Sequence, residues 1–244
     1  MSVRRVILNA DDLGYEPAVT RGLLRAMTDG VVSSATMMVN GPYSAEAAAP
    51  ARGLAVGLHL NLARWKPLSA VPPALLSSGG DLVEARAKEL PAAVVEAEVH
   101  AQLDALERLL GKPATHVDVH KHLHLHAGVM DGLLAAAKAR ALPIRTIDAA
   151  MRKRAHAAYV RTNDHFLGEA GATGYWTLAQ LEQTLRTLPA EGVVELMCHP
   201  GHAPQAIQSG YAAQREVELA TFTSLEAKAL LRQYGVVLES WAGV

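Results

Sequence analysis

The chain has 244 residues, half of them hydrophobic, which is enough to bury a large core in one domain. Its 23 basic and 24 acidic residues leave a formal net charge of -1, and no basic run stands out, so composition argues against nucleic acid or an anionic membrane as a partner. The one cysteine, Cys198, excludes an internal disulfide, and no stretch reaches the ~18 apolar residues of a membrane span. The opening MSVRRVILNADD lacks the apolar run of a secretory signal, so we predict a cytoplasmic protein with a single domain over 1–244.

Apolar or β-branched runs alternate with helix-like segments along the chain, which is typical of a mostly parallel sheet. RRVILNADD predicts a first strand, and YEPAVTRGLLRAMTDGV predicts a helix, because Val19, Leu23 and Met27 follow helical spacing. SSATMMVN and GLAVGLHLNL predict the next two strands, with a helix around SAEAAAPAR between them.

The segment 64–90 is rich in Pro, Gly and Ser, so we expect a lid or substrate loop there. A helix follows over LPAAVVEAEVHAQLDALERLLG, and the histidine run HVDVHKHLHLH predicts the fourth strand. LPIRTI, AYVRTNDHF, VVELMCHPG and GVVLESW predict further strands, with helices near 128–140, 177–188 and 213–233. Seven to eight strands favour an α/β fold of the (β/α) barrel type over an open sheet.

Polar side chains end several of these strands, and the carboxyl ends of barrel strands are where ligands bind. Asp11 and Asp12 end a strand that is too apolar to hold free charges without partners. If Asp12 binds a divalent metal ion, Asp11 is left to accept a proton from the attacking water. The alternative is that the two aspartates only cap the helix that begins near Pro17.

The histidine run cannot be a single metal cage. If it is an extended strand, Asp118, His120, His122 and His124 share one face, but His120 and His124 lie ~13 Å apart at ~3.3 Å per residue. We therefore expect one or two ligands from this strand, to join Asp12 and His59, while Asp118 orients a ligand imidazole. The other histidines of the run support a ligand, contact substrate or face solvent, and His116 and His126 stand at or beyond the margins of the site. His59 alone would be an ordinary core histidine. The competing interpretation is a His-rich tract that binds metal loosely, without a catalytic role.

Two further strand ends supply candidate groups. His199, in MCHPG, precedes a Pro-Gly turn and is a candidate general acid that protonates a leaving amine; the alternative is a turn histidine facing solvent. Arg145, in LPIR, could hold a substrate oxygen or an oxyanion. Cys198 neighbours His199, but adjacent strand residues point to opposite faces, so we expect a packed core thiol.

At these motifs the chain resembles the YdjC/ChbG-like carbohydrate deacetylases of the ChbG/HpnK type. NADDLG, SSATMMVNG, GLHLNL, PTHVDVHKHLHLH, PIR and CHPG match the family's motifs in the family's order, although the family's usual DDFG is DDLG here. The resemblance implies a distorted (β/α) barrel of the glycoside hydrolase/deacetylase kind. It also implies that Asp12, His59 and His120 bind one divalent metal ion, zinc or magnesium. Asp11 is then the catalytic base, His199 an active-site residue and Arg145 a substrate contact.

The leading hypothesis is therefore a metal-dependent hydrolase that removes the acetyl group from an N-acetylated amino sugar or glycan-like substrate. A metal-dependent phosphoesterase on the same barrel is an alternative, weakened by the lack of a Gly-rich phosphate loop. A non-catalytic metal-binding module is another, and it would have no use for Asp11. The expected partner is a small-molecule or oligosaccharide substrate, and a homodimer stays open.

Overall fold

The computed structural model describes residues 4–244 of the chain. Its strands are Arg4–Leu13 (β1), Ser34–Met37 (β2), Val56–Leu60 (β3), Val117–Val119 (β4), His165–Leu167 (β5), Val193–Cys198 (β6) and Val236–Leu238 (β7). Its α-helices are Pro17–Thr28 (α1), Ser44–Ala51 (α2), Ala92–Leu110 (α3), Ala127–Ala139 (α4), Ala149–Ala157 (α5), Leu178–Thr187 (α6), Ala213–Thr223 (α7) and Leu225–Gln233 (α8). Short 3-10 helices span Pro73–Leu75, Glu84–Glu89, His120–Leu125 and Trp241–Gly243.

All strand pairs in the sheet are parallel, in the order β4-β3-β2-β1-β6-β5, and β7 pairs with the beginning of β1. Ile144 makes isolated parallel bridges to Val117 of β4 and to Thr162, shortly before β5. These bridges link the two edges of the sheet. The barrel therefore closes through Ile144, which makes isolated bridges and is not part of a regular strand. The predicted α/β barrel of seven to eight mostly parallel strands is confirmed, with seven strands in the described residues, and this weak segment is where the barrel is distorted.

Helices cover the outside of the sheet and complete a buried core. Helix α1 buries Val19 and Leu23, whereas Arg21 on its other side is exposed. The fully buried strands β2 and β3 lie between β1 and β4 in the sheet. Because the strands run in parallel, their carboxyl ends meet at one rim of the barrel.

The predicted elements differ from the structure where the chain leaves regular geometry. LPIRTI forms bridges at Ile144 rather than a strand, helix α5 was not predicted, and the expected helix 213–233 is divided at Ser224, which caps α8. The histidine run was predicted wrongly: its strand ends at Val119, and the following residues form a 3-10 helix. Among the described helices, none is both long and apolar enough to cross a membrane. The single domain over 1–244 and the cytoplasmic location stay predictions.

Candidate metal and catalytic site

A cavity of about 750 Å³ opens at the rim where the strands end. Asp11, Asp12, His59, His120, His122 and His199 line it. Six of the nine residues that the sequence singled out for the site therefore share one cavity. The other three, Asp118, His124 and Arg145, do not line it.

Two neighbouring carboxylates reach this cavity because β1 stops being a regular strand near its end. The pairing with β2 shifts register between Ala10 and Leu13, and Asp12 has a φ of 77°. This left-handed conformation is one that aspartate adopts more readily than most residues. In a regular strand Asp11 and Asp12 would point to opposite faces. They do not cap α1, because Glu16 accepts the hydrogen bonds of its first N–H groups.

Three donor atoms from three strand ends converge on one point. Asp12 Oδ1 lies 3.2 Å from His59 Nε2 and 3.3 Å from His120 Nδ1, and the two ring nitrogens are 3.1 Å apart. All three residues are buried, and Asp12 Oδ1 has no hydrogen-bond partner in the described part of the chain. Donors bound at ~2.1 Å to a tetrahedral ion would be about 3.4 Å apart, so the set fits a small divalent cation.

A hydrogen-bonded carboxylate fixes the orientation of the His59 ring. Asp118 Oδ1 lies 2.6 Å from His59 Nδ1, and its Oδ2 accepts a hydrogen bond from the Thr36 hydroxyl at 2.9 Å. Burial disfavours the charged ring, but the Asp118 carboxylate outweighs burial and raises the pKa of His59 to about 10. Asp118 accepts the Nδ1 proton and turns Nε2 toward Asp12; because the raised pKa leaves the metal-free ring protonated at neutral pH, a metal ion would displace the Nε2 proton on binding.

The buried side chain of Arg145, which does not line the cavity, holds the Asp11 carboxylate. Arg145 donates to both carboxylate oxygens of Asp11, at 2.6 and 2.7 Å, and also pairs with Asp118 and Glu195. Burial alone would raise the pKa of Asp11, but the Arg145 charge and hydrogen bonds bring it far below its ordinary value. Asp11 is thus ionised at neutral pH. Since Arg145 is fully buried, its position favours the role of supporting Asp11 over that of substrate contact.

His199 reaches the cavity from the turn after β6. Its backbone N–H donates to Glu218 at 2.6 Å, while its Nδ1 is buried without a hydrogen-bond partner among the described residues. Burial lowers the pKa of His199, against the charges of Asp11 and Asp12, which raise it. The ring is therefore neutral near pH 7 and can act as an acid only after it has taken up a proton.

Helix α7 supplies a cation that the sequence did not reveal. Arg215 Nη2 donates to Asp12 Oδ2 at 2.5 Å, across 203 positions of the chain. Burial would raise the pKa of Asp12, yet the Arg215 charge and the nearby rings of His120 and His59 lower it well below its ordinary value. Asp12 therefore stays ionised, with one oxygen held by Arg215 and the other turned to the histidines.

Comparison with known proteins places this site in a family. The profile of the YdjC-like protein family matches residues 5–233, which is nearly the whole chain. The chain belongs to the YdjC-like family. It is 35% identical to a chitooligosaccharide deacetylase of Serratia marcescens, covering 97% of each chain. A carbohydrate deacetylase of Vibrio vulnificus strain CMCP6 is 34% identical, covering 98% of this chain and 95% of the relative.

A solved structure is similar to this YdjC-like protein over its full length. It comes from Enterococcus faecalis V583, where it is described as a candidate cellobiose-phosphate cleavage protein. The two share 28% identity with a TM-score of 0.87, and the match covers 99% of each chain. This YdjC-like protein therefore shares its barrel fold with a solved structure.

The remaining histidines of the run have separate places in the YdjC-like chain. Lys121 and His122 adopt φ values of 56° and 52°, so the chain turns sharply after His120 and brings His122 to the cavity wall. His124 is buried behind the ring of His122. His116 stacks on Trp241, with 4.7 Å between ring centroids, and it is not one of the three converging donors. The shared face that strict alternation predicted is wrong because β4 is only three residues long.

The segment 64–90 is anchored to the barrel. Buried Glu98 of α3 accepts hydrogen bonds from the backbone N–H groups of Leu68 and Ser69. Arg64 and Glu84 line the cavity from this segment, and Glu84 pairs with Lys121 across the rim. The segment is therefore a wall of the cavity in this structure, and its role in substrate selection stays a prediction.

Proposed function

We propose that this chain is a carbohydrate deacetylase that needs one divalent metal ion and removes the acetyl group from an N-acetylated amino sugar or oligosaccharide. The observation that carries the proposal is the convergence of Asp12, His59 and His120 beside the ionised carboxylate of Asp11 on one cavity. Relatives at 34–35% identity over nearly full length are named chitooligosaccharide and carbohydrate deacetylases, which supports the same reaction class here.

A divalent ion at this triad would polarise the acetamide carbonyl and make a bound water more acidic. Two nitrogen donors and one carboxylate suit zinc better than magnesium, which prefers oxygen donors. We propose zinc or an ion of similar chemistry as the resident metal. Magnesium is the comparison that the experiment below includes.

The residues of the chain divide the remaining work. Asp11 removes a proton from the attacking water. Its low pKa makes it a weak base, so this step depends on the acidification that the ion supplies. His199 protonates the departing amine with a proton that it first takes up from solvent, because burial keeps the free ring neutral, and the proton that Asp11 removes from water returns to solvent. Arg145 holds Asp11 in place, and His122 lies on the wall where a sugar would bind.

Acetate release tests the proposal directly. N-acetylglucosamine and its β-1,4-linked dimer and trimer are incubated with the protein after treatment with a chelator, and then with zinc or magnesium restored. We expect acetate from at least one sugar, loss of activity with chelator, and recovery with zinc. A phosphoester substrate such as p-nitrophenyl phosphate runs in parallel. Acetate from none of the sugars, or hydrolysis of the phosphoester alone, would contradict the proposal.

A further inference from the structure

Helix α7 carries two buried charged residues one turn apart, Arg215 and Glu218. They are three positions apart and so lie on one side of the helix. Arg215 is 3% exposed and Glu218 is fully buried, whereas Glu216 and Val217 between them are exposed. A buried charge is costly unless it is paired, so these two residues must be explained by the partners that they hold.

Arg215 is fixed by two hydrogen bonds and two aromatic rings. Its Nη2 donates to Asp12 Oδ2, its Nε donates to the carbonyl of Tyr211 at 3.0 Å, and its guanidinium carbon lies 5.8 and 5.6 Å from the ring centres of Tyr15 and Tyr211. A guanidinium held in this way keeps the Asp12 carboxylate from rotating. Asp12 then presents only Oδ1, the oxygen without a hydrogen-bond partner in the described chain, to His59 and His120.

Glu218 holds the other side of the cavity. One of its oxygens accepts from the backbone N–H of His199 at 2.6 Å, and the other accepts from the Tyr211 hydroxyl at 2.5 Å. Tyr211 thereby contacts both residues of the helix, through its carbonyl and its hydroxyl. Arg215, Tyr211 and Glu218 form one hydrogen-bonded unit that connects the Asp12 carboxylate to the backbone of His199.

We propose that Arg215 and Glu218 are positioning residues, through which helix α7 sets Asp12 to offer a single oxygen to the metal ion and fixes His199 beside it. This inference rests on the proposed function. Arg215 also brings a positive charge close to the ion. By charge alone it would weaken metal binding, whereas by holding Asp12 it strengthens metal binding, so the two roles predict effects of opposite sign.

Calorimetric titration with zinc separates these two roles. We expect Arg215→Met to bind zinc about 10-fold more weakly or worse, as is typical when a group that orients a metal ligand is lost. Arg215→Lys keeps the positive charge but not the pair of hydrogen bonds to Asp12 and to the Tyr211 carbonyl. Its zinc affinity should therefore lie between those of the parent and Arg215→Met. Arg21→Met, an exposed position on α1, is the matched control and should bind like the parent.

The results that overturn the Arg215 role are equal or tighter zinc binding by Arg215→Met, or parental binding by Arg215→Lys. Far-UV circular dichroism checks folding, and if Arg215→Met does not fold, Arg215→Lys decides the question alone. A parent chain that binds no zinc would instead contradict the metal site of the proposed function. The two failures are thus distinguishable.

Glu218→Gln tests the second residue. Glutamine has the shape of glutamate, but it is neutral and has one acceptor oxygen instead of two. We expect zinc affinity within about 2-fold of the parent, because Asp12 keeps Arg215, and a kcat about 10-fold lower with KM unchanged. Glu216→Gln, on the exposed side of the same helix, should leave both constants unchanged. An unchanged kcat in Glu218→Gln, or parallel changes in KM and zinc affinity, would overturn the role of Glu218.

Discussion

The two walls of the cavity bring charge to it in different ways. On one wall Asp11, Asp12, His59 and His120 stand at or just after the carboxyl ends of parallel strands. The other wall is helix α7 with the loop before it. Its Arg215 side chain donates a hydrogen bond to Asp12, one of the three converging donors. The strand-end wall thus carries the groups proposed to react. The helix wall carries groups that hold them, which suggests that strand topology assembles the chemistry and a later helix aligns it.

The largest effect is expected for a reacting group of the strand-end wall. Asp11→Asn should lower kcat for acetate release by ~100-fold or more, because a positioned general base contributes at least that much. Zinc binding should survive, since the donors are Asp12, His59 and His120 and both oxygens of Asp11 are held by Arg145. Acetate release and calorimetry on the same preparation measure both quantities.

Asp29→Asn, an exposed carboxylate at the end of α1, is the control and should match the parent. Unchanged turnover in Asp11→Asn would rule out Asp11 as the base. Loss of zinc from that variant would instead assign Asp11 to the metal ligands. Either result would break the division between reacting and holding groups.

A second prediction concerns Arg145, a holding group that is buried behind the strand-end wall. Arg145→Met leaves Asp11, Asp118 and Glu195 buried together without their cation. We expect the free energy of unfolding to fall by about 3–5 kcal/mol, as when one partner of a buried ion pair is removed. Urea unfolding measures the loss. The exposed pair of Arg154 and Asp131 gives the contrast, and Arg154→Met should cost about 0–1 kcal/mol. Similar losses in both variants would show that Arg145 does not compensate these carboxylates.

A smaller effect is expected from Glu195, the carboxylate that Arg145 compensates least. Burial raises its pKa from the ordinary 4.5 to about 7, although Arg145 acts in the opposite direction. A carboxyl group with a higher pKa in the folded state binds its proton more tightly when folded. Its contribution to stability is complete below pH about 4.5 and is lost as the pH rises through about 7.

Glu195→Gln removes this titration and can keep an oxygen toward Arg145. Between about pH 5.5 and about pH 8 we expect the parent to lose about 2 kcal/mol more unfolding free energy than the variant. Urea unfolding at the two pH values measures the difference. Glu191→Gln, at an exposed position, should behave as the parent does. Identical pH dependence in parent and Glu195→Gln would contradict the raised pKa.

The strand-end wall was predictable because period-2 runs that end in Asp or His are local patterns, and parallel topology brings such ends together. This is why Asp12, His59 and His120, from three separate motifs, were expected in one place. The α7 wall was not predictable. Arg215 and Glu218 look like ordinary charges on a polar helix, since their burial depends on how α7 packs against a turn near the other end of the chain.

The bulge at Asp12 and the turn at Lys121 mark a second limit. Both depend on backbone angles in the left-handed region, and neither position is a glycine, so the sequence gives no sign of them. Strict strand alternation would place Asp11 and Asp12 on opposite faces, and it wrongly extended β4 through the histidines. The structure reaches the same cavity residues by a different local geometry, so the ligand set was expected for partly wrong reasons.

The smallest effect is expected at His126, which the extended-strand interpretation placed at the margin of the site. In the structure it precedes α4, makes no capping hydrogen bond through its side chain, and does not line the cavity. His126→Ala should therefore keep zinc binding and kcat, with stability within about 0.5 kcal/mol of the parent. His122→Ala is the matched comparison, because the same substitution four residues earlier removes a ring from the cavity wall and should raise KM for the sugar. If His126→Ala lost zinc while His122→Ala did not, the run would bind metal through its far end, and the sharp turn after His120 could not be the geometry of the active chain.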